Sequence, residues 1–283
     1  MSDFVQQQNS VCDFGSSNSW VVLSSIEQSI KKKIEAVGTP LRDWNINIYR
    51  GVLTGCNEAF IINTEKRDEI LANCQTDDER TRTAELIRPI LRGRDIKRYG
   101  YEWAELWLIA TFPSRHYNID DYPSVKQYLL SYGIEKLEQT GKVHNVNGDK
   151  VKSRKKTNNK WFETQDSISY WEDFSKPKIV WNRIAAIKQF AKVDESVYIQ
   201  DSMHFIIGEK LNYICSVLNS KIIQWLLSTI IGEAAGGNAG NADNIWNIPV
   251  PFVSSDKSIS DNYLYEKYEL TTEEIAFIEN RED

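Results

Sequence analysis

The sequence predicts an α+β domain, a twisted and mostly antiparallel sheet with flanking helices. Three observations lead there. Short β-like apolar runs bounded by Gly, Pro and polar clusters recur along the chain. Apolar stripes spaced three or four residues apart mark helices among them. The chain has 283 residues, 41% hydrophobic and 26% charged, which is ordinary globular usage and enough for a real core.

Residues 1–16 are polar, rich in Gln and Ser, and read as a linker or frayed tail. A connector segment, residues 17–43, follows. Its helix runs from Ser17 with Leu23, Ile26, Ile30, Ile34 and Val37 on one stripe, and Gly38 and Pro40 stop it. Lys31, Lys32 and Lys33 then fall on a solvated face. Residues 44–253 form the main domain. Ile46 to Val52 and Ala59 to Ile62 read as strands with turns at Gly51 and Gly55, and Glu65 to Leu71 as a charged helix. Residues 88–99 read as a basic loop or short helical turn, and Leu106 to Phe112 as a buried strand. Tyr122-Pro123-Ser124 opens a helix reaching Leu137, and residues 140–160 read as an exposed basic loop. Lys178–Ile184, Ser196–Ile199 and Met203–Ile207 follow as strands, then a helix over 210–230, a Gly- and Asn-rich loop over 232–244, and a closing run from Ile245 to Phe252. Residues 254–283 form an acidic C-terminal extension. Thr271 with Glu274 makes a capping box and Leu270 with Ile275 its staple, so a short helix is expected there.

Several chemistries lack their residues. Cys12, Cys56, Cys74 and Cys215 are scattered, which points to reduced thiols in a cytoplasmic protein rather than a disulfide framework. His116, His144 and His204 stand apart from one another and from the cysteines, so no metal site is expected. The N-terminus has no signal-peptide pattern, and the most apolar window, 214–231, is too interrupted to cross a bilayer. No P-loop or nucleophile elbow occurs. Asn247-Ile-Pro-Val-Pro-Phe252 comes near the Asn/Asp-Pro-Pro-Tyr/Phe tetrapeptide of amino-methyltransferases, but Ile248 and Val250 interrupt it. Asp77, Asp78 and Glu79 read as surface acids.

The charge is unevenly placed. The net charge is −6, which at first disfavours a polyanionic partner. Residues 254–283 hold nine acids and three bases, so they carry all of it and the rest is neutral. Residues 88–98 hold five bases and one acid, and residues 142–192 hold twelve bases and five acids. The densest cluster is Lys150, Lys152, Arg154, Lys155, Lys156 and Lys160, beside Trp161 and Phe162. That cluster suits phosphates, and equally a solvated basic loop.

Six segments in order carry a family resemblance. Gly51-Val-Leu-Thr-Gly-Cys-Asn-Glu-Ala-Phe-Ile-Ile62 looks like a G-x-x-T-G-x-N-x-A-F segment, and Ile87-Arg-Pro-Ile-Leu-Arg-Gly-Arg-Asp-Ile-Lys-Arg-Tyr99 like a basic signature. Tyr122-Pro123 with Lys160-Trp-Phe162, Lys176-Pro-Lys-Ile-Val180, Leu218-Asn-Ser220 and Ile248-Pro-Val-Pro251 follow. Residues from about Trp20 to Phe252 thereby resemble the TaqI-like C-terminal specificity domain. This is the target-recognition domain of adenine-specific DNA methyltransferases and of fused type IIG restriction–modification enzymes.

The resemblance implies a fold of target-recognition type and a reader of double-stranded DNA without catalysis of its own. S-adenosylmethionine would bind a covalently linked or associated methyltransferase domain, not this chain, and no membrane is involved. It implies phosphate contacts from Arg92, Arg94, Lys97, Arg98, Lys152, Lys155 and Lys156, with Lys160 also on the DNA side. It implies base readout by Arg154, Asn182, Arg183 and Lys188. Arg92 and Arg94 could equally brace their own loop through Gly93 and Asp95. A protein-interaction module docking onto a methyltransferase or restriction subunit is the alternative.

Overall fold

The computed structural model describes residues 23–186, 188–231 and 240–280. The expected tail, the first residues of the expected connector helix and most of the Gly-rich loop lie outside them. The chain opens with α1 (Ser25–Val37), β1 (Thr39–Pro40) and β2 (Ile46–Arg50), then α2 (Asn57–Phe60), β3 (Ile61–Asn63), α3 (Thr64–Ala72) and α4 (Asp77–Leu86). Next come β4 (Ile87–Leu91), β5 (Ile96–Lys97), β6 (Gly100–Tyr101), β7 (Leu106–Ile109), α5 (Pro123–Leu130) and α6 (Ile134–Leu137). The second half holds β8 (Val143–Val146), β9 (Asp149–Lys152), β10 (Lys178–Asn182), β11 (Phe190–Val193), β12 (Tyr198–Ile199) and β13 (Met203–Gly208). It ends with α7 (Leu211–Leu218), α8 (Lys221–Trp225), α9 (Ala242–Trp246), β14 (Pro249–Val250), α10 (Asp261–Lys267) and α11 (Thr272–Glu279).

The expected α+β class holds, with two four-stranded sheets rather than one. The central sheet runs β11-β10-β13-β2 and is antiparallel throughout. Strand side chains alternate between faces, and here both faces are buried. Val180, Phe205 and Ile207 enter one hydrophobic cluster, shared with Phe60, Leu108 and Phe112. Ile179, Trp181 and Ile206 enter a second, shared with Ile34, Ile214 and Trp225. The other large sheet, β12-β4-β7-β3, is antiparallel except for β12 beside β4, and it lines the first cluster.

Local sequence accounts for most elements. Ser24 and Glu27 form a reciprocal capping box that starts α1 at Ser25, and the expected helix start at Ser17 lies outside the described residues. Residues 87–91 pair as a strand although Arg88-Pro89 looks like a breaker, because Ile87, Ile90 and Leu91 are all buried. The long helix expected over 210–230 is broken at Asn219. Asn219 donates to the Cys215 and Phe190 carbonyls at 3.0 and 2.8 Å and accepts from the Phe190 amide at 3.1 Å. Ser220 then caps α8. Glu79 is not a surface acid. It is buried in the first turn of α4 and accepts from the amides of Gln75 and Ser124 at 2.8 and 2.9 Å.

The acidic extension contains two helices, and they pack into the second cluster. Leu264, Tyr265, Tyr268 and Ile278 are buried there beside Ile30 and Ile34 of α1. Glu274 completes the expected capping box with Thr271 and also accepts from Ser29 at 2.6 Å and Lys33 at 2.7 Å. Burial alone would raise this carboxyl's pKa, but these hydrogen bonds outweigh it and hold it at about 2. Among the described residues, no helix is long and apolar enough to cross a membrane.

Because Tyr268 is fully buried, Tyr268→Ala should cost about 3–5 kcal/mol. Urea unfolding followed by tryptophan fluorescence should show the lowered midpoint, while Lys257→Gln on the same segment's exposed surface leaves it unchanged.

Candidate nucleic-acid interface

The basic segment is organised around Arg154. Its side chain is buried, 4% exposed, and all of its recorded bonds go to main-chain carbonyls. Nε donates to Leu137 O at 2.7 Å, Nη1 to Thr54 O and Glu163 O at 2.8 and 2.7 Å, and Nη2 to Trp161 O at 2.6 Å. The guanidinium also lies over the Phe60 ring at 5.0 Å. Burial pushes its pKa down to about 10. The expected base-reading role is therefore corrected: the side chain is buried, and four of the five donors of its planar fork are spent on interior carbonyls. Gln139 works alongside it, accepting from Thr157 Oγ1 at 2.7 Å and donating to Lys160 O and Glu163 O at 3.2 and 3.1 Å.

Upstream of this anchor the expected loop is a β-hairpin. β8 and β9 pair from Val143↔Lys152 to Val146↔Asp149, leaving a two-residue turn. Asn147 and Gly148 fill it at φ 52° and 95°, the positive-φ pair that a type I′ turn requires. Asn-Gly was the available signal in the sequence, masked by the surrounding charge. Directly paired residues share a face, so Val143, Asn145, Lys150 and Lys152 lie together, and all four are exposed. On the other face His144 Nε2 meets Glu138 Oε1 at 2.5 Å, which pins the ribbon to the body.

Lys155, Lys156 and Lys160 continue the exposed surface beyond the ribbon. With Lys150 and Lys152 they make no ion pair among the described residues. The basic signature at 92–98 behaves differently. Arg92 forks onto the buried Asp95 at 2.8 and 3.2 Å, which is the bracing alternative. Arg98 donates to Asn219 O at 2.6 Å, and Lys97 sits 3.7 Å from Glu102. Arg94 is exposed and has no ion pair among the described residues.

The remaining candidates lie at the end of the central sheet. Lys188 is buried and donates to Arg183 O at 3.2 Å and to Ala185 O. Burial lowers its pKa. Its expected readout role is corrected too, since its ammonium holds the 183–188 turn from inside. Arg183 is half-buried with Nε 3.4 Å from Asp201 O. Asn182 is packed against Gly93, where a Cβ would stand 2.4 Å from its amide nitrogen. That contact joins the Arg92–Arg94 turn to Asn182 and Arg183, two sets far apart in sequence. His204 stacks on Trp181 with ring centroids 5.5 Å apart, and its Nδ1 is buried without a hydrogen-bond partner among the described residues. Burial, helped by Arg183 and Arg50, pushes its pKa down to about 4. Among the described residues no group of three His, Cys, Asp or Glu could hold a metal.

Two outcomes follow. Arg154→Leu leaves interior carbonyls without donors, so it should cost about 3 kcal/mol or more, read as a lowered urea midpoint. His204 is kept neutral in the fold, and the unfolded chain binds its proton first. Its share of stability is present above the ordinary pKa of about 6.5 and is lost as pH falls toward about 4. His204→Phe should flatten stability over that window, and the loss due to Glu274 should persist at lower pH; thermal melts from pH 7 to 3 check both.

A family model described as the TaqI-like C-terminal specificity domain matches residues 88–250. Among curated proteins none matches. Among solved structures, the type IIG restriction endonuclease BpuSI aligns at 11% identity and a TM-score of 0.47, over 90% of this chain and 28% of that one. The type IIL restriction–modification enzyme MmeI, solved in complex with DNA, aligns at 9% identity and a TM-score of 0.41, over 68% of this chain and 23% of that one. The chain thus spans 28% of the first enzyme and 23% of the second. It belongs to the TaqI-like C-terminal specificity domain family and is a DNA target-recognition domain.

Proposed function

We propose that this chain grips double-stranded DNA with the β8–β9 ribbon and the lysines beyond it, on behalf of a linked adenine methyltransferase or fused restriction–modification enzyme. The observation that carries this reading is the contrast among the cations. Lys150, Lys152, Lys155, Lys156 and Lys160 are exposed and without ion pairs among the described residues, whereas Arg154 and Lys188 are buried on main-chain carbonyls, Arg92 is forked onto Asp95 and Arg98 donates to Asn219 O. A two-stranded ribbon fits a major groove, and flexible unpaired lysines release phosphate counterions without first breaking a bond of their own. Arg94, Asn182 and Arg183 form the second contact area, with Asn182 and Arg183 as base readers. The linked catalytic domain would hold S-adenosylmethionine and flip the target adenine.

Fluorescence anisotropy against a mixed duplex library tests the grip. Affinity should fall with salt at a log–log slope of about −0.9 per phosphate contacted. Lys155→Gln with Lys156→Gln should weaken all sequences alike and reduce the slope by about 1 per lysine. Absent or salt-independent binding at low salt overturns the reading.

A further inference from the structure

Within electrostatic reach of Lys155 lies a polar recess that the proposed grip does not use. It has a volume of about 440 Å³, and Asn159, Gln165, Asp166, Ser169 and Tyr170 are among its walls. The backbone that carries it is held at many points. Thr164 N donates to Thr111 O at 3.0 Å, and the Gln165 and Asp166 amides both donate to Leu53 O at 3.1 and 3.2 Å. Ser114 Oγ donates to Ile168 O at 2.8 Å, and Tyr170 Oη to Arg50 O at 3.0 Å. Ile168 takes φ 49° with its side chain buried. A β-branched residue is rarely found there, and backbone strain of this kind concentrates at ligand-binding loops.

The side chains contrast with the backbone. Those of Gln165 and Asp166 make no hydrogen bond or ion pair among the described residues, although both are half-buried. Gln165 Oε1 fills the space left open at Gly55, where a Cβ would stand 2.5 Å from it. Asp166 is flanked electrostatically by Arg50, by Lys155 of the lysine surface, and by Asp201. Burial outweighs the two cations and raises its pKa.

We infer that Gln165 and Asp166 are specificity-determining residues that accept hydrogen bonds from the exocyclic amino groups of adenine or cytosine. This rests on the DNA-recognition reading above. A carboxylate here repels phosphates, so the recess is not a phosphate site. A single carboxylate with amide and hydroxyl neighbours is also a poor cation cage, and no metal cluster occurs among the described residues. What remains is a neutral donor. In the major groove the amino groups at cytosine N4 and adenine N6 are such donors, with carboxylates pairing to the first and side-chain amides to the second. Lys155, engaged with a phosphate, would set the depth at which these two side chains meet the base edges. A preorganised backbone carrying unsatisfied side chains gains those bonds at little conformational cost.

The test is selection from a randomised duplex library by the whole chain, followed by sequencing, for the unaltered protein, Asp166→Asn, Asp166→Ala and Gln165→Ala. The unaltered protein should enrich a motif containing adenine or cytosine. Asp166→Ala should relax one position by roughly 10-fold or more, Gln165→Ala should relax that position or its neighbour, and the isosteric Asp166→Asn should change the preferred base. The salt slope should stay as it was, which separates these residues from the lysines. An unchanged motif in the variants overturns the inference while leaving the grip intact. A uniform loss across all positions makes the two residues structural and overturns it as well. If the unaltered protein enriches no motif, the DNA-recognition reading itself falls.

Discussion

The buried guanidinium of Arg154 is the constraint on which the DNA-facing half of the molecule depends. Through four carbonyls it fastens the Gly51–Ile62 segment at Thr54, the end of α6 at Leu137, and the Trp161–Glu163 turn. Those pieces are far apart in sequence, and no strand pairing joins all three. A charge is costly to bury unless its hydrogen bonds are met, so the site tolerates only a narrow arrangement of these carbonyls. The ribbon before Arg154 and the lysines after it inherit that arrangement. A rigid base is what lets a loop surface carry recognition.

The same economy recurs in the central sheet and at its end. Lys178 is fully buried, and its ammonium donates to Phe174, Lys176 and Glu195 carbonyls at 2.8, 3.0 and 3.0 Å. Burial pushes its pKa down to about 8. Lys188 ties its turn in the same manner. Three of the basic residues between 142 and 192 therefore hold the architecture in place. Strong cationic composition in such a segment overstates the charge available to a polyanion, and only exposure with pairing distinguishes the two uses.

This is where sequence reading reached its limit. Period and caps were legible: the Ile30 and Ile34 stripe, the Thr271–Glu274 box, and the apolar runs of β10 and β13. What local pattern could not show was which cation points inward. Arg154 and Lys155 are adjacent and chemically alike, yet one is enclosed and the other exposed, because distant carbonyls meet at only one of them. Arg88-Pro89 was read as loop because breaker chemistry is local, while the burial of Ile87, Ile90 and Leu91 is a tertiary effect. The Asn147-Gly148 turn was legible and was outweighed by the charge around it. Gln165 and Asp166 carry no motif, since their interest lies in bonds left unmade, which only a structure displays.

Net charge changes meaning once the pairs are known. The extension brings the whole −6 of the formal balance, yet it is not a loose acidic arm lying across the basic surface. Glu274 is turned onto Ser29 and Lys33 of α1, and Glu279 pairs with Lys221 of α8. Its apolar side chains share a cluster with the helix that precedes the sheet, so Glu274 and Glu279 are fixed on that side of the molecule. The unpaired lysines sit on the ribbon and its continuation, which pack against α6 and the first cluster's elements. Surface charges farther apart than about 10 Å are largely screened at ordinary ionic strength. A polyanion approaching the ribbon responds to the nearby lysines more than to the total, which is how an acidic protein of this composition can present a DNA-binding face.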